Sequence, residues 1–402
     1  MPRLRHDRIT WLAYAQLGLW GFFLYGFGPV VPLLRDEQGT SAAVAGLHST
    51  ALAAGALVGG ALFAPVARRL GRSPTIWLGL SGVAAGVTGL ALLRPLPATL
   101  AVVVVIATAG TLVVSGVNVV LTSRHGAAAP AALAEANAAC AGMGILAPLV
   151  IGLSVNAGWG WRPGVAVVVA LIALVAVATL AQRVRRPHVT VTEARRRPTA
   201  APRGARRLPK AYWIAWVLMS VTGSIEVCLS LWTADVLRSH AAMAPGAASA
   251  AVAAIVSGMF VGRIFGGRVA LRVRPVPLLL AALGVSLTGF AIFWVASVGW
   301  LAVVGLVVLG LGNALHYPLA ISLALAVAGD ATDQAAGWSA YSMGVGFGIA
   351  PVALGWVADG VGAHSAFLLL PGFIAVAALL AVRLGRALPT PTPVEQPAPA
   401  PI

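Results

Sequence analysis

Apolar residues in this chain come in long unbroken runs, not in the alternation of a strand or the one-faced stripe of a soluble helix. Twelve such runs recur, at 10–34, 41–66, 75–93, 97–123, 131–156, 162–182, 211–236, 246–270, 276–298, 300–328, 334–358 and 363–385. A helix needs about 20 apolar residues to cross the hydrocarbon core of a bilayer, and these runs are of that order. Short punctuated turns such as "RDEQGTS", "RPLPA" and "GWGWRPG" separate them. Residues 183–210 are the one long polar interruption, rich in Pro, Gly and Arg, and read as a solvated linker. The Pro-rich tail, 386–402, reads as disordered. The pattern therefore predicts an all-α integral membrane protein of twelve transmembrane helices. It divides into a six-helix bundle (1–182), a basic linker (183–210), a second six-helix bundle (211–385) and the tail.

Composition sharpens this picture. The 402 residues are 59% hydrophobic and 9% charged, where a soluble domain carries about a quarter charged residues. The basic start "MPRLRHDR" runs into the first apolar run without a small-residue cleavage site, so a spanning helix is expected there, not a signal peptide. The net charge of +16 would suit a nucleic-acid partner, but its placement argues against one. With the N-terminus inside, 22 of the 27 basic residues fall in inner segments. Only Arg35, Arg94, Arg162 and Arg238 lie outside, with Arg263 inside span 8. That asymmetry predicts a multi-pass protein of the inner (cytoplasmic) membrane with both termini cytoplasmic. Anionic lipid then accounts for the charge. Cys140 and Cys228 sit within apolar runs, so no disulfide framework, metal site or cofactor is expected.

The two bundles are related. "ILAPLVIG" (145–152) in span 5 parallels "GIAPVALG" (348–355) in span 11, at an offset of 203. The same offset carries Ala67-Arg68-Arg69 onto Ala270-Leu271-Arg272, and Trp11 onto Ile214 near the start of span 7. A duplicated parallel repeat places a substrate site near the bilayer midplane, between the halves.

Polar positions inside the spans locate that site. In span 4, Thr108, Thr111, Ser115, Asn118 and Thr122 fall on one helical face, as do Thr222, Glu226, Ser230 and Thr233 in span 7. Span 10 clusters Asn313, His316 and Tyr317, and span 1 lines up Tyr14, Gly18, Gly21, Tyr25 and Gly28. The stripes fall on the first and fourth spans of each half, as a central aqueous pathway requires. Ser and Thr also bond their own helix backbone, and small residues also serve close packing, so each stripe has a structural reading too. Glu226 stands apart, because a charge at the centre of a span costs about 2.5–3.5 kcal/mol on insertion scales. Removal from water penalises the ionised form of a carboxyl, so Glu226 is the candidate proton-coupling residue, with His316 its expected partner at similar depth. Tyr25, Asn118, Asn313, Tyr317 and Ser230 are the expected substrate-cavity residues. Arg263, in "GMFVGRIFGGR", is placed nearer the cytoplasmic face, where its side chain can snorkel, and is assigned to gating or packing. Glu135 and Asn137 are expected to form an interfacial ion pair with Arg124. Pro148 and Pro351 sit in glycine-rich stretches of the repeat-related spans 5 and 11, which are expected to bend and to form the rocking contacts between the halves.

These features together resemble the major facilitator superfamily over residues 10–385. In the superfamily's loop 2–3 motif, Gly-x-x-x-Asp-Arg-x-Gly-Arg, the segment "APVARRLGR" matches at Arg69, Gly71 and Arg72, with Arg68 at the acidic position and Ala64 at the leading glycine. Its repeat, "GRVALRVRP", keeps Gly267 and Arg272 and has Leu271 at the acidic position. Ala147-Pro148-x-x-Ile151-Gly152 resembles part of the antiporter motif of span 5. The resemblance implies a monomeric carrier that works by alternating access, with Arg69, Gly71, Arg72 and Arg272 in gating.

The sequence shows no HExxH, GxSxG or Gly-rich phosphate loop with Lys, and its longest polar segment is too short for a catalytic domain, which excludes a membrane enzyme and an ATP-driven pump. The expectation is secondary transport of a small-molecule substrate with protons, first as export of a drug-like compound or metabolite. Uptake of a sugar-like or weakly acidic metabolite, or uncoupled facilitation, is the alternative.

Overall fold

The computed structural model describes residues 6–184, 208–270, 272–328 and 332–387. Most of the linker and most of the tail lie outside the described residues. Every regular element among those described is helical. In chain order these are α1 (Arg8–Gln38), α2 (Ala42–Leu70), α3 (Arg72–Leu92), α4 (Leu96–His125), α5 (Ala129–Asn156), α6 (Trp161–Val184), α7 (Lys210–Ser239), α8 (Pro245–Ala251), α9 (Ala253–Ala270), α10 (Pro275–Val295), α11 (Gly299–Asn313), α12 (His316–Ala328), α13 (Thr332–Val361), α14 (Ala363–Ala366) and α15 (Leu369–Ala387). Twelve stretches among the described residues are long and apolar enough to cross a membrane. Three are composite: α8 with α9, α11 with α12, and α14 with α15.

The break in the tenth span has a local cause. Pro318 has no N–H to return to the Ala314 carbonyl, so the helix cannot continue unbroken. The chain tightens there: Ala314 N–H still bonds the Gly310 carbonyl four residues back (3.0 Å), but Leu315 N–H bonds Gly312, three back (3.2 Å). Helix ends are capped in the usual way. The Asp7 carboxylate accepts the Thr10 N–H (2.9 Å) and pairs with Arg124. Burial pushes this carboxyl up, but the Arg124 guanidinium and the Thr10 groups outweigh it and bring it down to about 2. Arg124 thus belongs to Asp7. Glu135 bonds instead to His6 (2.6 Å) and accepts from the Tyr14 hydroxyl (3.0 Å), while Asn137 donates to the Leu133 carbonyl of its own helix (2.8 Å), so the expected pairing of Glu135 and Asn137 with Arg124 is replaced. Between α2 and α3, Gly71 holds φ +89°, a left-handed conformation that glycine alone adopts freely, and this folds the chain back within one residue.

α1 to α6 pack chiefly on one another, and so do α7 to α15; the two groups meet where α1 packs on α7, α2 on α13, and α5 on α8 and α9. Backbones come very close at these meetings. A Cβ on Gly28 would lie 2.3 Å from the Ser230 carbonyl, one on Gly355 would lie 2.5 Å from that of Ala42, and one on Gly152 would lie 2.5 Å from that of Gly246. Polar contacts reinforce them. Arg35 holds Asp235 through two hydrogen bonds (2.6 and 2.9 Å), Arg238 pairs with Asp36 (2.7 Å), and Asp359 accepts the N–H groups of Ala42 (2.7 Å) and Ala43 (3.0 Å) at the start of α2.

Pro351 shapes the α2–α13 contact. Lacking an N–H, it leaves the Phe347 carbonyl one turn earlier without its helical donor. The Ser49 hydroxyl of α2 donates to that carbonyl (2.6 Å), and Thr50 donates to the next one, Gly348. Ser49→Ala is expected to cost about 1 kcal/mol, the worth of one hydrogen bond whose acceptor is left buried. Thermal unfolding of the detergent-solubilised protein checks it, with Thr88→Ala, an exposed hydroxyl bonded to its own helix at Ala84, as a comparison outside this contact.

All these contacts lie toward the face opposite the chain termini. On the terminal side α2 stands clear of the other group: most of its side chains from Val58 to Leu70 are exposed, and a Cβ on Gly60 would meet open space, as would one on Gly142 of α5. The first six and last six spans therefore meet on one face and part on the other.

Candidate functional site

Glu226 lies midway along α7, the most enclosed helix of the second group. Two fully buried aromatic residues fix its rotation against α13: Tyr212 donates to the Ala335 carbonyl (2.7 Å) and Trp232 to that of Pro351 (3.2 Å). Ser342 of α13 answers by donating to the Trp216 carbonyl (2.6 Å). With that face of α7 committed, Glu226 and Ser230 turn toward α1. Ser230 meets Gly28 in the backbone contact described above, so it is part of a seal between the groups. One turn toward the termini from that seal are Glu226 on α7 and, from α1, Tyr25. Both are half-buried.

Arg263 of α9 is the charge that acts on Glu226, at a distance that makes no ion pair or hydrogen bond with it, and it acts on the Tyr25 hydroxyl as well. Tyr25 lies flat on α5, where a Cβ on Gly144 would come within 2.4 Å of its ring. Arg263, expected in gating or packing, is thus an exposed side chain of α9 whose charge is felt by Glu226 and Tyr25.

His316 is not brought to Glu226. It is 1% exposed and turned to α10, where its Nε2 meets the Ser286 hydroxyl at 3.2 Å. Tyr317, the next residue, is half-buried. Asn313 is likewise 3% exposed, and its amide points to the Met259 sulfur (3.7 Å). Asn118 is half-buried on α4. Its stripe is partly structural: Thr108 donates to Gly55 of α2 (3.0 Å), and Thr111 to its own helix at Ala107 (2.9 Å). Among the gating candidates, Arg69 and Arg272 are exposed, Arg72 donates to Ser123 at the end of α4 (3.0 Å), and Pro148 is buried in α5. Sequence reasoning passed over the ion pairs on the closed face. Arg35 and Arg238 carried a signal, since they are separated by the repeat offset of 203 and each pairs with an acid on the other's helix.

Comparison with known proteins follows from this geometry. The family model described as Major Facilitator Superfamily matches residues 11–340 and again 243–401. A search of curated proteins finds no significant match. Among solved structures, the chain is similar to a bacterial homolog of the human lysosomal transporter Spinster in an inward-facing, occupied conformation, with 14% identity, TM-score 0.73, and 97% of this chain and 100% of that one covered. It is similar to a D-xylose-proton symporter (13%, TM-score 0.72, 95% and 97%) and to the nucleoside transporter NupG (14%, TM-score 0.71, 94% and 98%). At such identities the likeness shows the fold.

Proposed function

The chain belongs to the Major Facilitator Superfamily, and from that premise we propose that it carries a small organic solute across the cytoplasmic membrane together with protons, with Glu226 as the group that takes and gives up the proton. As a family member it is a transporter of small solutes and not an enzyme. The observation that carries the coupled reading is a half-buried carboxyl at mid-span, one helical turn from the Gly28–Ser230 contact at which the two groups of spans meet. Such a group can exchange a proton with whichever face the cavity opens to, and the rocking of one bundle against the other changes that face. The arginine asymmetry supports placing the termini in the cytoplasm, so the state described here is inward-facing.

Glu226→Gln tests this reading. In proteoliposomes with an imposed pH gradient, the variant is expected to lose gradient-driven accumulation and keep solute exchange. An uncoupled facilitator would show the same uptake with either residue.

A further inference from the structure

On the terminal side of the first bundle, α6 leaves a groove of about 560 Å³ against α1 and α5. That size falls within the range of small-molecule sites, about 300–1,000 Å³. Its walls are Ala15 and Leu19 of α1, Ala138 and Met143 of α5, and Leu171 and Leu174 of α6, all apolar. α6 packs chiefly on α1, α3 and α5, and Ala15, Ala138 and Leu174 are exposed, so the groove opens on the outside of the bundle, toward lipid. It shares no residue with the site around Glu226.

Hydrogen bonds fix the polar end of this groove. Glu135, near the start of α5, lines it together with Trp11 and Tyr14 of α1. The Tyr14 hydroxyl donates to Glu135 Oε2 (3.0 Å), and His6 Nε2 meets the same oxygen at 2.6 Å. His6 also lies against Trp11, with ring centroids 5.5 Å apart. Both bonds fall on Oε2. Among the described residues Oε1 therefore has no hydrogen-bond partner, in a side chain that is 45% exposed. A free carboxylate oxygen at the mouth of an apolar groove calls for a cationic N–H donor. Arg8 supplies the opposite sign. Arg8, Trp11, Ala15 and Leu19 are spaced 3, 4 and 4, one face of α1, and Arg8 is exposed one turn beyond Trp11. The mouth thus offers an anion and a cation above an apolar slot.

We propose that this groove holds one phosphatidylethanolamine molecule from the leaflet on the side of the termini, with an acyl chain between α1 and α6, its ammonium on Glu135 Oε1 and its phosphate on Arg8. Headgroup chemistry selects it. An ammonium carries three N–H donors, and its bond to a carboxylate is charge-assisted. Phosphatidylcholine has the same two charges and no N–H, and phosphatidylglycerol has the phosphate and no cation. The chain fills a slot whose walls would otherwise forfeit packing contacts. Trp11 and Tyr14 are the ring types that settle at the lipid–water border. All three helices belong to the first bundle, so the site persists as the bundles rock and stands apart from proton coupling.

The test uses the purified full-length transporter, delipidated in detergent and titrated with dioleoyl phosphatidylethanolamine, phosphatidylcholine or phosphatidylglycerol, with native mass spectrometry counting the lipids retained. The wild type is expected to retain one phosphatidylethanolamine about tenfold more tightly than phosphatidylcholine, the worth of one hydrogen bond to a charged group. Glu135→Gln is expected to bring phosphatidylethanolamine down to the level of phosphatidylcholine, and Arg8→Gln to weaken both. Ala15→Phe, which fills the slot, is expected to lose the retained lipid. Ala138→Phe does the same from the α5 wall and serves if the first variant fails to fold. Glycerophosphoethanolamine, the headgroup without chains, is expected not to compete. Equal retention of phosphatidylcholine by the wild type, a preference for phosphatidylglycerol, or a preference that ignores Glu135→Gln or Arg8→Gln overturns the proposal. So does an unchanged lipid count in a folded Phe variant. Competition by glycerophosphoethanolamine overturns it too, since the ligand would then be a soluble phosphate ester.

Discussion

Asp235→Asn is expected to open the face that this structure closes, shifting the balance about thirtyfold toward the state in which α1 and α7 part. Asp235 accepts both Nη groups of Arg35, at 2.6 and 2.9 Å, and the two side chains are 11% and 19% exposed. Forked pairing of this kind is among the stronger polar contacts. Truncating one partner of a buried, hydrogen-bonded pair costs about 2–5 kcal/mol, and the partial accessibility here points to the low end, about 2 kcal/mol. The pair joins the two groups of spans, so its loss weakens only the state in which they meet. The measurement is labelling of an Asn118→Cys variant, half-buried on α4, by a membrane-impermeant maleimide added to the closed side, in a background where Cys140 and Cys228 are replaced by Ser. Labelling should rise in Asp235→Asn and fall again when the charges are exchanged as Arg35→Asp with Asp235→Arg. Unchanged labelling would remove these residues from the closing contact.

Gly28→Leu is expected to have the larger effect and to abolish transport in a protein that still folds. The Cβ alone would lie 2.3 Å from the Ser230 carbonyl oxygen and 2.4 Å from its hydroxyl. The first of these is backbone in the interior of α7 and cannot turn aside, so the helices must separate. Overpacking typically costs about 1–3 kcal/mol, and a contact with rigid backbone belongs at the upper end. About 3 kcal/mol corresponds to a shift beyond a hundredfold. The site is a contact between the groups, not within one, so each bundle keeps its own core. Solute exchange in proteoliposomes should fall to background, Gly28→Ala should be intermediate, and Asn118→Cys should label from the normally closed side. Normal exchange by Gly28→Leu would mean that α1 and α7 do not need to touch during transport.

The fold could be read from the sequence because lipid leaves the backbone so little choice. Twelve apolar runs can only be helices when every N–H must be satisfied within its own segment. The repeat offset reaches further than the run count: Gly152 and Gly355 are separated by it, and so are Gly246 and Ala43, and the structure brings Gly152 to Gly246 and Gly355 to the start of α2. The site was less legible. Glu226 stands out because its cost is intrinsic to its depth. The near-complete burial of Asn313 and His316 was not legible, because helical spacing says which residues share a face and not which neighbour covers that face. Arg263 was assigned by the depth of its Cα, which does not tell which charges its long side chain will influence. Pairing across a boundary between bundles depends on which faces meet. No local pattern around Asp36 or Asp235 contains that information.

The Asp359 carboxylate on α2 belongs to the other bundle, so each time the boundary opens the first N–H groups of that helix must find another acceptor. Ser41 supplies one from next door, since its hydroxyl accepts the Val44 N–H at 3.3 Å, and water can take the rest. A helix start exchanged between a carboxylate and water changes by about 1 kcal/mol, little enough for a bound solute to reverse. The helix therefore keeps its full length on both strokes of the cycle, and no refolding step stands between one turnover and the next.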